Sequence, residues 1–171
     1  LQDVRAMGLT VVSIVHTHAH FDHFLASGAM KQATGAALCL HPDDLPLWDI
    51  LEMQCRMFGV PYVPAPQPDY WLKDEERLAI GEMEGIALHT PGHTPGSMCF
   101  HFPAAKLLVA GDTLFRGGIG RTDLWGGDFD AIEQSIRERL YTLDADTAVV
   151  TGHGAETDIG RERETNSFVR A

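Results

Sequence analysis

Short apolar runs separated by Gly- and His-rich polar stretches set the pattern of this chain. Residues 10–15 (TVVSIV) are apolar and β-branched, which predicts a buried strand. A polar, His-rich loop follows over residues 16–22. Phe24, Leu25, Ala29 and Met30 are spaced for a helix over 23–32, with Gly35 as its C-terminal stop. Residues 37–40 form a second short strand. Asp43 or Asp44 caps a helix through Met57, with Leu47, Ile50, Leu51 and Met57 on one side. Pro61, Pro64, Pro66 and Pro68 exclude regular structure from residues 59–68. That stretch is either a surface crossover or a loop bordering a substrate site.

Residues 78–80, 85–88, 97–102 and 106–110 read as strands. A Gly/Pro-rich loop over 90–96 (TPGHTPG) lies between two of them, and a Gly-rich loop over 111–127 follows the last. Phe129, Ile132, Ile136 and Leu140 recur at intervals of 3, 4 and 4, one face of a helix over 128–140. A strand over 147–150 then runs into Thr151-Gly152-His153-Gly154, and a charged helix covers 159–168. Four times an apolar strand ends in a loop that carries candidate ligands: His18, His20, Asp22 and His23; then His93; then Asp112; then His153. In layered α/β proteins such loops gather at one edge of a sheet.

Composition narrows the picture. A chain of 171 residues is one domain's worth and long enough for a sizeable core. With 44% hydrophobic and 22% charged residues it is not a disordered chain. Lys and Arg number 13 against 24 Asp and Glu, and a net charge of −11 disfavours nucleic acid as a partner. There is no apolar run long enough for a membrane span and no secretory pattern. Cys39, Cys55 and Cys99 are odd in number and have no CxxC spacing. They read as free thiols of a reducing compartment, hence a cytoplasmic protein, each packing as a small apolar residue.

The densest chemistry is His18-Ala19-His20-Phe21-Asp22-His23. Imidazole and carboxylate suit Zn, Fe and Mn. In an extended backbone, residues two apart point the same way, so His18, His20 and Asp22 can aim into one space and His23 can reach beside it. His93, Asp112 and His153 are weak singly, but each follows a strand and adjoins glycine, which permits positive φ and close backbone approach. Seven ligands are too many for one tetrahedral ion and about right for two ions sharing a carboxylate.

These motifs resemble the metallo-β-lactamase fold superfamily, and within it the small glyoxalase II-like hydrolases. The likeness runs through THAHFDH (17–23), TPGHTPGS (90–97), AGDTLFRGGIGRTDL (110–124) and GHGAETDIGRERETNSF (152–168). It implies an α/β fold, a four-layer αββα sandwich, formed by a single domain over residues 1–171 that lacks its first N-terminal strands. It implies two divalent ions, Zn and/or Fe with Mn possible. His18, His20 and His93 would hold one, Asp22, His23 and His153 the other, and Asp112 would bridge. Asp22 and Asp112 would be catalytic. The implied reaction is hydrolysis of a thioester, S-lactoylglutathione or a related acylthiol, by a metal-bridging hydroxide. Arg121 and Arg116 are the candidate contacts for a substrate carboxylate. True β-lactamases of the family commonly carry Cys where Asp112 stands and lack the His at 23, which argues against that activity. The segment following Gly120-Arg121 lacks the aromatic that full hydroxyacylglutathione hydrolases usually present to glutathione.

Two other readings remain. Gly118-Ile119-Gly120-Arg121-Thr122-Asp123 also resembles the iron-dependent persulfide dioxygenases of the superfamily, which would use His18, His93 and Asp112 at one iron. The third reading is a non-enzymatic metal-binding protein on the same fold. The remaining histidines, His16, His41, His89 and His101, are all assigned to packing or surface roles, with support of the nearby His93 loop the alternative for His89. Trp48, Trp71 and Trp125 are all assigned to the core rather than to a substrate platform, with Trp125, which follows the Gly-rich loop, the one to watch.

Overall fold

In the computed structural model, which describes residues 1–170, side-chain alternation along the strands decides which layer each residue enters. The chain opens with α1 (Gln2–Ala6), β1 (Ser13–Val15), a 3₁₀ turn at Phe21–His23 and α2 (Ser27–Thr34). It continues through β2 (Ala37–Leu40), α3 (Leu45–Asp49), α4 (Leu51–Met57) and β3 (Tyr70–Trp71). Next come β4 (Arg77–Ile80), β5 (Met83–His89), β6 (Met98–Phe102), β7 (Leu107–Gly111) and the small hairpin β8 (Leu114–Phe115) and β9 (Gly118–Ile119). The remaining elements are α5 (Phe129–Ser135), β10 (Ala148–Thr151), β11 (Thr157–Asp158) and α6 (Ile159–Thr165).

β1, β2 and β3 make a parallel sheet in that order. The second sheet has the order β11-β10-β7-β6-β5-β4, and β10–β7 is its parallel pair. Alternation sorts the core into three slabs. Leu38 and Leu40 of β2 pack outward on Leu47, Trp48 and Leu51 of α3 and α4. Cys39, between them, turns inward to meet Ala87, Phe100 and Phe102 of the second sheet. From that sheet Leu88, Cys99, Leu108 and Val149 face the far side, against Ile132, Ile136, Leu140 and Ile159. Each fully buried Leu or Ile in these slabs contributes roughly 1.5–3 kcal/mol of apolar burial. The result is the four-layer αββα sandwich.

Four local expectations need correction. Residues 10–15 do not make a buried strand: β1 starts at Ser13, and Val12 and Val15 are 70% and 40% exposed. β1 pairs with β2 alone and forms one edge of its sheet. The helix expected from His23 begins at Ser27, because Phe21–His23 is a tight turn that swings His23 toward the other ligands; Gly35, at φ 70°, does terminate it. The helix expected over 43–57 is broken at Ile50 into α3 and α4. The Asp44 side chain makes no capping bond there. The terminal helix stops at Thr165, where Asn166 turns extended and buries its amide against Gly118 and Glu162. By contrast, the helix over 128–140 forms as expected. The Asp128 carboxylate caps it by accepting from Ala131 N–H at 3.0 Å, and a wider π-type turn carries it over Ile136–Leu140. Two-residue strands such as β3, β8 and β9 are too short to show a period, and the sequence pattern did not reveal them.

Strand direction is what positions the site. β5 is antiparallel to β6 and β6 to β7, so β5, β7 and β10 all run the same way. Their C-terminal ends therefore share one edge, and the loops carrying His93, Asp112 and His153 emerge there together.

Candidate metal centre

All seven expected ligand residues meet at this edge. The loop after β1 supplies His18, His20, Asp22 and His23. The nitrogens of His18, His20 and His93 converge in one cluster, and Asp22, His23 and His153 in a second. His20 Nδ1 lies 2.9 Å from His93 Nε2. His153 Nε2 lies 3.1 Å from an Asp22 oxygen, and His23 Nε2 lies 3.6 Å from the same carboxylate. The Asp112 carboxylate sits between the clusters, 3.5 Å from His23 Nε2, 3.6 Å from His93 Nε2 and 3.5 Å from His153 Nε2.

Glycine makes this crowding possible. A Cβ on Gly152 would stand 2.0 Å from Asp112 Oδ1, so no larger residue fits beside the shared carboxylate. Gly111, at φ 49°, turns the chain from β7 toward Asp112.

Burial sets the protonation of the first cluster. Desolvation and the neighbouring imidazoles push His18 well below the usual histidine range. Desolvation, then His93, takes His20 to about 3. Burial also lowers His93, against the pull of the Arg121 carbonyl and Asp112. These imidazoles are neutral at pH 7, the state in which histidine binds metal. The His93 Nδ1–H donates to the Arg121 carbonyl at 2.8 Å, which leaves Nε2 as the free lone pair. Burial raises the Asp112 carboxyl, opposed by His23, His93 and His153.

The donor set fits divalent metal. His18 Nε2, His20 Nε2, His23 Nε2 and Asp112 Oδ1 are buried polar atoms without a hydrogen-bond partner. Orphaned buried polar atoms cost free energy unless something satisfies them, and a cation among the ligands would satisfy His18 Nε2, His23 Nε2 and Asp112 Oδ1, while at His20 it is Nδ1 and not the orphaned Nε2 that faces His93.

Other expected residues fall elsewhere. Arg121 borders the cavity beside the clusters, but its guanidinium is forked onto Asp123 at 2.7 and 2.9 Å. Arg116 lies exposed on the turn between β8 and β9, away from the cavity wall, so the expected substrate contact finds no geometric support. His16 stacks on Phe24 and bonds Ser27 and the Cys39 carbonyl, a packing role. His89 donates from Nε2 to the Pro95 carbonyl at 2.8 Å and so braces the His93 loop. His41, Asp43 and His89 also bring ligand atoms close. The two rings there stack nearly parallel, at 14°, so their in-plane lone pairs do not converge on one ion.

The family model of the metallo-beta-lactamase superfamily matches residues 1–153. The chain belongs to this superfamily. It is 36% identical over 173 residues to "Hydroxyacylglutathione hydrolase GloC" of Haemophilus influenzae, spanning 100% of this chain and 82% of that protein. Among solved structures it is similar to "TTHA1623 in a di-iron-bound form", with a TM-score of 0.90 and 38% identity, covering 98% of this chain and 82% of the other. It is equally similar to "BLEG-1 B3 metallo-beta-lactamase", with a TM-score of 0.89, 36% identity and coverage of 99% and 82%. The chain is thus a metal-dependent hydrolase of the metallo-beta-lactamase superfamily. Likeness of the same degree to a hydroxyacylglutathione hydrolase and to a β-lactamase means that membership alone does not name the acyl compound.

Next to the clusters this superfamily member has a cavity of about 390 Å³. Phe21, Phe58, Phe115, Ile119, Leu124 and Trp125 form its apolar wall. Of the three tryptophans expected in the core, Trp48 is there, Trp125 packs against that core while also lining the cavity, and Trp71 is 37% exposed on the short strand β3. The sequence reading missed Phe58 and Phe115, which carried no motif. It also missed the role of Asp44, read as a helix cap, and of Gln54. Both are fully buried.

Proposed function

We propose that this chain hydrolyses the thioester of a small acylthiol, with a glutathione-linked acyl group as the first candidate. The supporting observation is the shared Asp112 carboxylate between two ligand clusters that open on an apolar cavity. In this reading His18, His20 and His93 would hold one ion, Asp22, His23 and His153 the other, and Asp112 would serve both. When bound, the ions supply Lewis acidity and lower the pKa of a coordinated water from about 15.7 toward 7.

The chain's own residues do the rest. Asp22, partly exposed beside the cavity, can accept a hydrogen bond from the attacking water and orient it. The apolar wall keeps bulk water from the acyl arm. The leaving thiol has an ordinary pKa of about 8.5, so it departs as thiolate without a strong acid. A cysteine nucleophile is disfavoured by the thiols present. Cys39, Cys55 and Cys99 are all buried, and burial pushes Cys99 up to about 11.

The test is elemental analysis of protein purified without added metal, followed by turnover assays. Near two ions per chain with hydrolysis of S-lactoylglutathione supports the reading. About one iron and no zinc, with oxygen uptake on glutathione persulfide, replaces it with the dioxygenase. Turnover of a β-lactam but of no thioester keeps the hydrolase and discards the substrate class. Metal bound with no turnover of any of these leaves a metal-binding protein.

A further inference from the structure

Ala19, which joins His18 to His20, is gripped on both of its backbone polar groups by side chains that form no hydrogen bond to a candidate ligand side chain among the described residues. Ala19 N–H donates to Asp44 Oδ2 at 2.8 Å, and the Ala19 carbonyl accepts from Gln54 Nε2 at 3.1 Å. Gln54 also donates to the Leu47 carbonyl at 2.8 Å and accepts from Phe21 N–H at 3.1 Å, so it spans both sides of His20. Asp44 reaches the other way as well. Its Oδ2 accepts from the Thr94 hydroxyl at 2.9 Å and its Oδ1 from Gly96 N–H at 2.6 Å. Thr94 is next to His93, and its hydroxyl is held in turn by Ser97 at 2.7 Å.

One carboxylate therefore ties the loop that carries His18 and His20 to the loop that carries His93, Asp44 itself lying 25 residues from Ala19 and 52 from Gly96. The approach is close: a Cβ on Gly96 would stand 2.7 Å from Asp44 N and 2.8 Å from its carboxylate. A buried carboxylate with three donors is a rigid junction, because losing any one bond leaves a desolvated group unpaired.

We propose that Asp44 and Gln54 are positioning residues that set the separation of His18, His20 and His93, and so tune the ion held there while leaving the Asp22, His23 and His153 cluster largely untouched. This rests on the ligand assignment of the preceding section. On the second cluster the side-chain brace is lighter: the Thr151 hydroxyl donates to the His153 carbonyl at 2.8 Å. The members of that cluster are linked to Asp112 and to each other by ligand-to-ligand contacts.

The experiment is a Zn²⁺ titration of metal-free protein against a chromophoric chelator, for wild type and Asp44→Asn. Asparagine keeps the shape but turns an NH₂ toward a backbone N–H. The expected result is two ions in wild type and, in Asp44→Asn, one ion bound as before and the other weakened roughly 10–100-fold, the range found for groups that orient metal ligands. Thermal unfolding of the metal-free forms is the companion readout. A merely structural role would lower the midpoint and leave both affinities unchanged. Gln54→Met and Thr94→Val, which delete part of the brace and keep its volume, carry the test if Asp44→Asn does not fold, with a smaller loss at the same ion. Equal weakening of both ions, or of neither, overturns the inference. A wild type that binds no pair of ions overturns the ligand assignment itself, a distinguishable failure.

Discussion

The two ligand clusters that meet at Asp112 are built on opposite terms. His18, His20 and His93 are 1–5% exposed, while the side chains of Asp22 and His153 are 37% and 56% exposed. The buried cluster is braced from behind by Asp44, Gln54 and the Arg121 carbonyl, and desolvation keeps its imidazoles neutral. Both clusters line the cavity, through His20 and His93 on one side and Asp22 and His153 on the other, and the second is the more exposed. Burial fixes geometry and charge in one cluster, and exposure leaves the other more accessible to solvent.

Breaking one ligand on each side tests this contrast most severely. His18→Ala is expected to lower turnover more than about 100-fold, since changing even the partners that orient a ligand costs 10–100-fold. His153→Ala is expected to cost less and to leave one ion bound. Paired elemental analysis and kinetics check both, and equal losses would erase the distinction.

Gly152→Ala strikes the point where the clusters join. The added methyl would meet Asp112 Oδ1, so both ions should weaken together and turnover should fall at least about 10-fold, consistent with displacement of a shared ligand. Titration of metal-free protein with Zn²⁺ reads this directly. Loss confined to one ion would mean that Asp112 serves only one cluster.

Acid should unfold the metal-free protein through its buried side. His16 is held at about 4 and His20 at about 3, mainly by desolvation, against 6.5 unfolded. Below pH 6.5 the unfolded chain binds more protons than the folded one, so stability present above pH 6.5 is lost as pH falls toward 4. For His16 alone this is about 2–3 kcal/mol between pH 7 and 4.5. Urea unfolding of wild type and His16→Gln at the two pH values should show a shallower acid loss in the variant.

The smallest effect is expected at the cavity rim. Arg121 is exposed and neutralised by Asp123. Exposed ion pairs contribute about 0–1 kcal/mol, so Arg121→Ala should change KM for an anionic thioester by less than about fivefold. A larger rise would restore Arg121 as a substrate contact.

Much of this was legible along the chain. The HxHxDH run needs only alternation to bring His18 and His20 to one side. The β-strands around residues 85–110 announce themselves because each is apolar on both faces. The helix over 128–140 is visible because Ile132, Ile136 and Leu140 bury on one stripe. What failed did so for local reasons. The run at 10–15 is apolar enough for a core but lies at a sheet edge. Asp44 has the look of a helix cap, and only the approach of Ala19, Thr94 and Gly96 reveals its partners.

The sequence by itself determined the ligand types, their placement after strands and the layered α/β class, because those depend on residue chemistry and on periods of two and 3.6. Tertiary structure alone decided that Asp112 stands between two clusters, that one cluster is buried and braced while the other is more exposed, and that Arg121 is already paired. Such facts rest on contacts between residues tens of positions apart, and no local spacing encodes them.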